Sequence, residues 1–172
     1  MTNLDINYFA NQLKNNRKVF KALLSKTTPE ERIWKPEPDK WSLLEVVCHL
    51  FDEEREDFRK RMLHCLEQPE NSFDPIDPQS WITEHDYLGQ DFDLKLEAFL
   101  TERKTSVKWL KSLENPSMDK EHVHPHFGPM NARLFLENWV AHDYLHFRQI
   151  TRLKRGYLAA NAQEKLDYAG PW

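Results

Sequence analysis

The sequence is poor in glycine and cysteine: its 172 residues include four glycines and two cysteines. Valine and isoleucine are also scarce beside leucine. Sheets favour β-branched residues and turn glycines, whereas Leu, Glu, Lys and Arg are good helix formers. The composition therefore excludes a β-sandwich and predicts an all-α fold. The length fits one domain, which we expect to span residues 1–172.

Basic stripes, long apolar runs and paired-cysteine motifs are missing as well. The net charge is −4 and charges of both signs are mixed along the chain, so we expect no nucleic-acid partner. No run approaches the roughly 18 apolar residues of a membrane span, and residues 1–12 lack the pattern of a secretory signal. Cys48 and Cys65 form no CxxC pair, so we expect no disulfide framework and a reducing, cytoplasmic location.

Four long stretches follow the helical period of apolar residues, and proline-bearing connections separate them. They run from about Leu4 to Lys26, from Ser42 to about Glu67, from near Asp91 or Asp93 to before Pro116, and from Asn131 to Gly156. Gly156 is expected to lie just past the end of the fourth helix. Four amphipathic helices of this kind predict a four-helix bundle.

The connection from Gln68 to Gln90 is much longer than most helix-to-helix loops. It can cross the end of the bundle and let the second and third helices run in the same direction. Its apolar residues predict an ordered segment that can line a site, with a disordered excursion as the alternative. These residues are Phe73, Ile76, Trp81 and Tyr87.

His142 and His146 are four residues apart on the fourth helix, so their side chains leave the same face about 6 Å apart along the axis. Apolar neighbours indicate that this face points into the bundle. Two buried imidazoles need partners, because an unsatisfied buried polar group costs roughly 1–3 kcal/mol. A shared metal ion satisfies both. The alternative is a pair bonded to other core groups or half exposed at a helix end.

His49 on the second helix supplies a third nitrogen ligand. Three protein ligands with an open fourth position are the pattern of catalytic zinc sites. Asp52 and Glu53 lie one turn from His49, where they could orient a ligand or act as a general base. We expect this centre to be the one polar point of the bundle interior.

The remaining histidines carry less information. His122, His124 and His126 alternate in a loop before the fourth helix. The first alternative is a solvent-facing polar loop, and the second is that one of them, His126, reaches the pocket. His64 and His85 show no partner in the sequence and are interpreted as surface or loop residues.

Together these segments resemble the DinB-like (DinB/YfiT) superfamily. The shared elements are Trp41-Ser42 with Glu45, His49 and Leu50, followed far downstream by His142, His146 and Gln149-Ile150. The resemblance implies a four-helix bundle with up-down-down-up connectivity. It also implies a divalent metal held by three histidines, which map onto His49, His142 and His146. Zn²⁺ is the first choice, with Ni, Mn or Fe as alternatives.

Members of this superfamily with assigned activities include S-transferases that use mycothiol or bacillithiol, an isomerase acting on maleylpyruvate, and metal-dependent hydrolases. The leading hypothesis is therefore a metal-dependent enzyme of the thiol S-transferase or hydrolase type. Its metal would bind water or a thiolate at the open position, and Glu53 would assist proton transfer. A small-molecule substrate, such as a low-molecular-weight thiol, would enter beneath residues 68–90.

Two alternatives come from other functional classes. The first is a non-catalytic protein that binds a small molecule or a partner and whose metal site is structural or vestigial. The second is an interaction module that forms a homodimer through exposed aromatics such as Trp34, Trp109 and Trp172. The tail, residues 166–172, is expected to dock back onto its own bundle.

Overall fold

The computed structural model describes residues 5–67, 72–73, 75–124 and 127–171 and is mostly helical. The helices are α1 (Ile6–Leu24), α2 (Pro29–Ile33), α3 (Leu43–Asp52), α4 (Arg59–Glu67), α5 (Trp81–Glu84), α6 (Phe92–Ser112) and α7 (Ala132–Asn161). A π-helical segment, Glu53–Phe58, joins α3 to α4, and 3-10 turns span Tyr87–Gly89 and Asp167–Ala169. β1 (His122–His124) pairs antiparallel with β2 (Gly128–Met130). The predicted all-α four-helix bundle is confirmed: its members are α1, α3 with α4, α6 and α7.

Side-chain caps explain where the long helices begin. The oxygens of Asp5, Asp91 and Asn131 each accept a hydrogen bond from the backbone amide three residues ahead. Ser42 and Glu45 form the reciprocal capping box at the start of α3. Each cap satisfies an amide that the first turn would leave without a partner.

The end of α7 differs from the prediction. The helix continues through Gly156 to Asn161, so Gly156 lies inside the helix and not just past its end. A Cβ at position 156 would lie 2.8 Å from the ring of Trp34. The missing side chain thus allows α7 to approach Trp34, whose ring also packs against Tyr157 with centroids 5.9 Å apart.

Contacts between helices indicate their relative directions. The amine of Lys111 near the end of α6 bonds Asn11 near the start of α1, and Arg17 bonds the carbonyl of Leu100. α1 and α6 are therefore antiparallel.

The segment from α3 to α4 runs alongside α6 in the same direction. Glu54 bonds Arg103, and Arg59, five residues later, bonds Ser106. This arrangement is compatible with the expected up-down-down-up order.

The long connection is ordered in the part that the structure describes. Trp81 and Tyr87 are buried in one apolar core cluster with Leu50 and Phe99, and Ile76 packs against it. Residues 68–71 and 74 lie outside the described ranges. None of the helices in those ranges is long and apolar enough to cross a membrane.

The aromatic residues proposed for dimerisation are less available than expected. Trp34 and Trp109 are half-buried against their own bundle. Tyr168 is fully exposed, so the predicted docking of the tail does not involve this ring. Trp172 lies outside the described residues.

A buried ionic network joins the four long helices. Nε of Arg103 donates to Glu54 at 2.8 Å, and its two terminal nitrogens donate to Asp143 at 2.7 and 2.8 Å. Asn16 donates to Asp143 at 2.9 Å, and the Trp139 indole donates to Glu54 at 3.1 Å. The expectation of one polar point in the interior is therefore wrong. The network is tolerated because each charged group has at least two hydrogen bonds, although Oε1 of Glu54 accepts none among the described residues.

We expect Arg103→Met to lower the free energy of unfolding by about 3–5 kcal/mol, because it leaves Glu54 and Asp143 buried without a counter-charge. Urea denaturation followed by circular dichroism measures the change. Arg133→Met, which breaks a surface pair with Asp119, is the matched control and should change stability little. Equal effects of the two substitutions would contradict the role given to the network.

Candidate metal centre

The three histidines singled out in the sequence come together inside the bundle. His49 lies near the end of α3, and His142 and His146 lie one turn apart on α7. One nitrogen from each ring lies within 4.8 Å of the others, and the Nε2 atoms of His142 and His146 are 3.0 Å apart. His49 and His146 are buried and His142 is half-buried. That they ligate a metal stays a prediction.

Aromatic side chains hold two of these rings in place. The indole of Trp41 packs against His49, with ring centroids 4.8 Å apart. Phe58, at the end of the π-helical segment, packs against His142 at 5.1 Å. These contacts exclude water from one side of each imidazole and limit its rotation.

Gln149 sets the tautomer of His146. Nδ1 of His146 lies 2.7 Å from Oε1 of Gln149. In this amide orientation the oxygen accepts, so Nδ1 carries the proton and Nε2 keeps its lone pair. That lone pair is directed at the histidine cluster, and a partner of this kind usually orients a metal-ligating histidine.

Burial keeps the three imidazoles neutral. Desolvation is the largest cause that lowers the pKa of His49 to about 3, of His142 to about 2 and of His146 to about 4. The neighbouring histidines are a second cause of the lowered pKa of His49 and His142. Neutral imidazole is the form that binds metals, so the rings are ready as ligands at neutral pH.

The residues present fit a divalent metal. Within the described ranges, Nδ1 of His49 is buried and has no hydrogen-bond partner. The two facing Nε2 atoms of His142 and His146 can share at most one proton between neutral rings. A cation among these rings would bind nitrogen lone pairs that have no hydrogen-bond partner in the described residues. Three imidazoles suit Zn²⁺ and related transition metals.

Glu53, the predicted proton-transfer residue, lies at the start of the π-helical segment. Its Oε1 is 3.8 Å from Nε2 of His49, and the residue is buried. Burial, together with the nearby Asp57 carboxyl, raises the pKa of Glu53 to about 9. Without a metal Glu53 is therefore protonated at neutral pH. A divalent cation at the histidines would favour its ionised form.

Asp52, the other predicted acid, has different partners. Its Oδ2 lies 2.7 Å from Nδ1 of His85 and accepts from the hydroxyl of Tyr87 at 2.8 Å. Asp52 thus joins the long connection to α3. His85 is exposed in that connection, as the sequence predicts, and Asp52 is its partner there. Tyr87 in the same segment was a signal for this contact, because a buried phenol needs a polar partner.

The hairpin histidines, with His64 of α4, gather around Phe73 and not at the metal centre. The rings of His122, His64 and His124 lie 4.4, 4.6 and 6.0 Å from that of Phe73. His122 is buried, so the solvent-facing alternative is wrong for it. His126 lies outside the described residues.

A cleft of about 760 Å³ opens onto the three histidines. Trp41, Leu145 and Leu153 supply apolar walls, and Gln79 from the long connection contributes to the lining. The volume is within the range of small-molecule sites. A bound ion would thus have an open side facing the cleft.

Comparisons with known proteins agree with this architecture. A family model described as the DinB superfamily matches residues 12–150. Among solved structures, the chain is similar to YfiT from Bacillus subtilis, with a TM-score of 0.78 and 18% identity over 90% of this chain and 89% of that one. YfiT is described as a probable metal-dependent hydrolase with an unusual four-helix bundle topology. At this identity the likeness concerns the fold. No protein of curated function matches the sequence.

We expect Glu53→Gln to change how the stability of the metal-free protein depends on pH. The folded pKa of Glu53, about 9, lies above its ordinary value of 4.5. The wild-type protein therefore loses up to about 1.4 kcal/mol of stability per pH unit as pH rises through this window, because folding keeps a proton that the unfolded chain releases. The variant lacks this loss.

Urea denaturation in the presence of a chelator, at pH 5.5 and pH 8, measures the difference. Relative to the wild type, the variant should gain stability as the pH rises. Glu97→Gln, which removes an exposed carboxylate from α6, is the control. An unchanged pH dependence in Glu53→Gln would show that Glu53 is ionised in the folded protein.

Proposed function

Because the chain belongs to the DinB superfamily, we propose that it is a divalent-metal-dependent enzyme whose metal is held by His49, His142 and His146. The observation that carries this proposal is the convergence of three neutral imidazoles, each offering a nitrogen within 4.8 Å of the others. Zn²⁺ is the preferred ion, with Ni, Mn or Fe as alternatives. When bound, such an ion polarises a substrate or lowers the pKa of a coordinated water or thiol.

The protein supplies binding, orientation and proton handling. Trp41 and Gln149 hold the ligand rings, and the cleft admits a small molecule from the side of Gln79. Glu53 is placed beside His49 to hold a proton or release it. A divalent cation at the histidines would lower the raised pKa of Glu53 toward neutral pH, the range that suits proton transfer.

Hydrolysis is the favoured reaction, since Glu53, once a divalent cation favours its ionised form, can take a proton from an attacking water. Thiol S-transfer is the second candidate, because a cleft of about 760 Å³ also fits a low-molecular-weight thiol. Esterase and amidase panels, run beside assays of thiol consumption with electrophilic substrates, separate the two. A cytoplasmic location and a homodimer stay predictions from the sequence.

A non-catalytic binding protein with a structural metal is less well supported. Structural zinc sites use four protein ligands, often cysteines. In the described part of the chain the cluster has three histidines, and a cleft opens onto them. Both features favour a site that exchanges a ligand.

We expect the protein purified without a tag to contain about one metal ion per chain by mass spectrometry, and His142→Ala to lose most of it. His124→Gln, which changes a histidine outside the cluster, is the control and should keep its metal. Equal metal in the wild type and His142→Ala would contradict the assignment.

We also expect chelation to lower thermal stability. A ligand that binds only the folded state at about a thousandfold over its Kd contributes roughly 4 kcal/mol. Differential scanning calorimetry with and without chelator measures the shift in Tm. The double variant His142→Ala with His146→Ala should show no shift, and an equal shift in both proteins would place the metal elsewhere.

A further inference from the structure

Two arginines on the wall of the metal cleft have no side-chain partner among the residues that the structure describes. Arg148 and Arg152 lie one turn apart on α7, and both line the cleft that opens onto the histidines. Among the described residues, neither side chain makes a hydrogen bond or an ion pair. Most other arginines near the bundle are paired, as Arg59 is with Glu102 and Arg32 with Asp93.

Among the described residues that line the cleft, no acidic group is left unpaired to neutralise the two arginines. In the described lining, the acidic residue is Asp39, and its carboxylate bonds Lys40 at 2.8 Å. The positive charges of Arg148 and Arg152 therefore stay uncompensated beside a site that would itself hold a cation. A cleft with such an excess attracts anions.

The arginines line the same cleft as the histidines, a short way along α7. At about 1.5 Å per residue, Arg148 lies about 3 Å and Arg152 about 9 Å beyond His146 along the helix axis. Leu145 and Leu153 line the cleft beside them. A ligand that fits this arrangement has a reacting group at the histidines, a short apolar portion, and an anionic group at the arginines.

We propose that Arg148 and Arg152 bind a carboxylate of the substrate, so that the enzyme acts on small organic acids rather than on neutral molecules. The guanidinium group matches a carboxylate with two parallel hydrogen bonds, which supplies orientation as well as attraction. This inference rests on the proposed metal-dependent function, because it places the reacting group of the same molecule at the histidines.

The test uses two thiols that differ in one group. Cobalt-substituted protein is titrated with 3-mercaptopropionate and with 3-mercaptopropionamide, whose neutral amide replaces the carboxylate, and the visible spectrum of cobalt reports binding. The proteins are the wild type, Arg148→Gln with Arg152→Gln, and Lys104→Gln with Lys108→Gln. The lysine pair has the same spacing on α6, is exposed and lies outside the cleft lining, so it controls for net charge.

We expect the wild type and the lysine variant to prefer the carboxylate over the amide, and the arginine variant to lose about tenfold of that preference. An unchanged ratio of the two Kd values in the arginine variant, with a normal cobalt spectrum, would overturn the inference.

A metal-free measurement separates this inference from the proposed function. The same thiols are titrated into chelator-treated protein, and the change in tryptophan fluorescence, to which Trp41 in the cleft contributes, reports binding. A carboxylate preference that depends on the arginines supports the inference even if cobalt does not bind, in which case the proposed metal function fails. If the metal-free wild type binds both thiols with the same Kd, as the arginine variant does, the inference is contradicted.

Discussion

The buried ion network around Arg103 is the interaction on which the rest of the structure depends. Its guanidinium bonds carboxylates from two other long helices, and Asn16 of the fourth completes the set. The network lies between the two apolar clusters, since the guanidinium carbon is within 6 Å of rings from both, including Phe20 and Trp139. Because these charged side chains must stay paired, they favour one rotation of each helix about its axis relative to the others. An uncompensated buried charge would make any other rotation costly.

This constraint extends directly to the metal centre. Asp143, which binds Arg103, is adjacent to His142, so the ion pair fixes the face of α7 that carries the histidines. Glu54 binds Arg103 while the adjacent Glu53 lies beside His49. Both glutamates are buried in the π-helical segment, a geometry often found at functional sites. The charge of Arg103 is also among the causes that lower the pKa of His142. The network and the site are one electrostatic system.

Much of the fold could be predicted, because periodicity and capping are local properties. The four long helices and the Ser42–Glu45 box belong to this class. Arg103 was missed, although its position gave a signal: it continues the apolar stripe of Leu100 and Val107 at helical spacing. A charged residue at such a place is more often read as exposed. Gly156 was misread for a related reason, since its role depends on the distant Trp34.

That His142 and His146 share a helix face follows from their spacing alone, because four residues make about one turn of any α-helix. Their meeting with His49 depends on the packing of α3 against α7, which long-range contacts such as the one between Glu54 and Trp139 determine. The neutrality of the rings and the raised pKa of Glu53 follow from burial, which no local pattern specifies. Residue order thus decided which ligands were available, and tertiary packing decided their distances, protonation and access to the cleft.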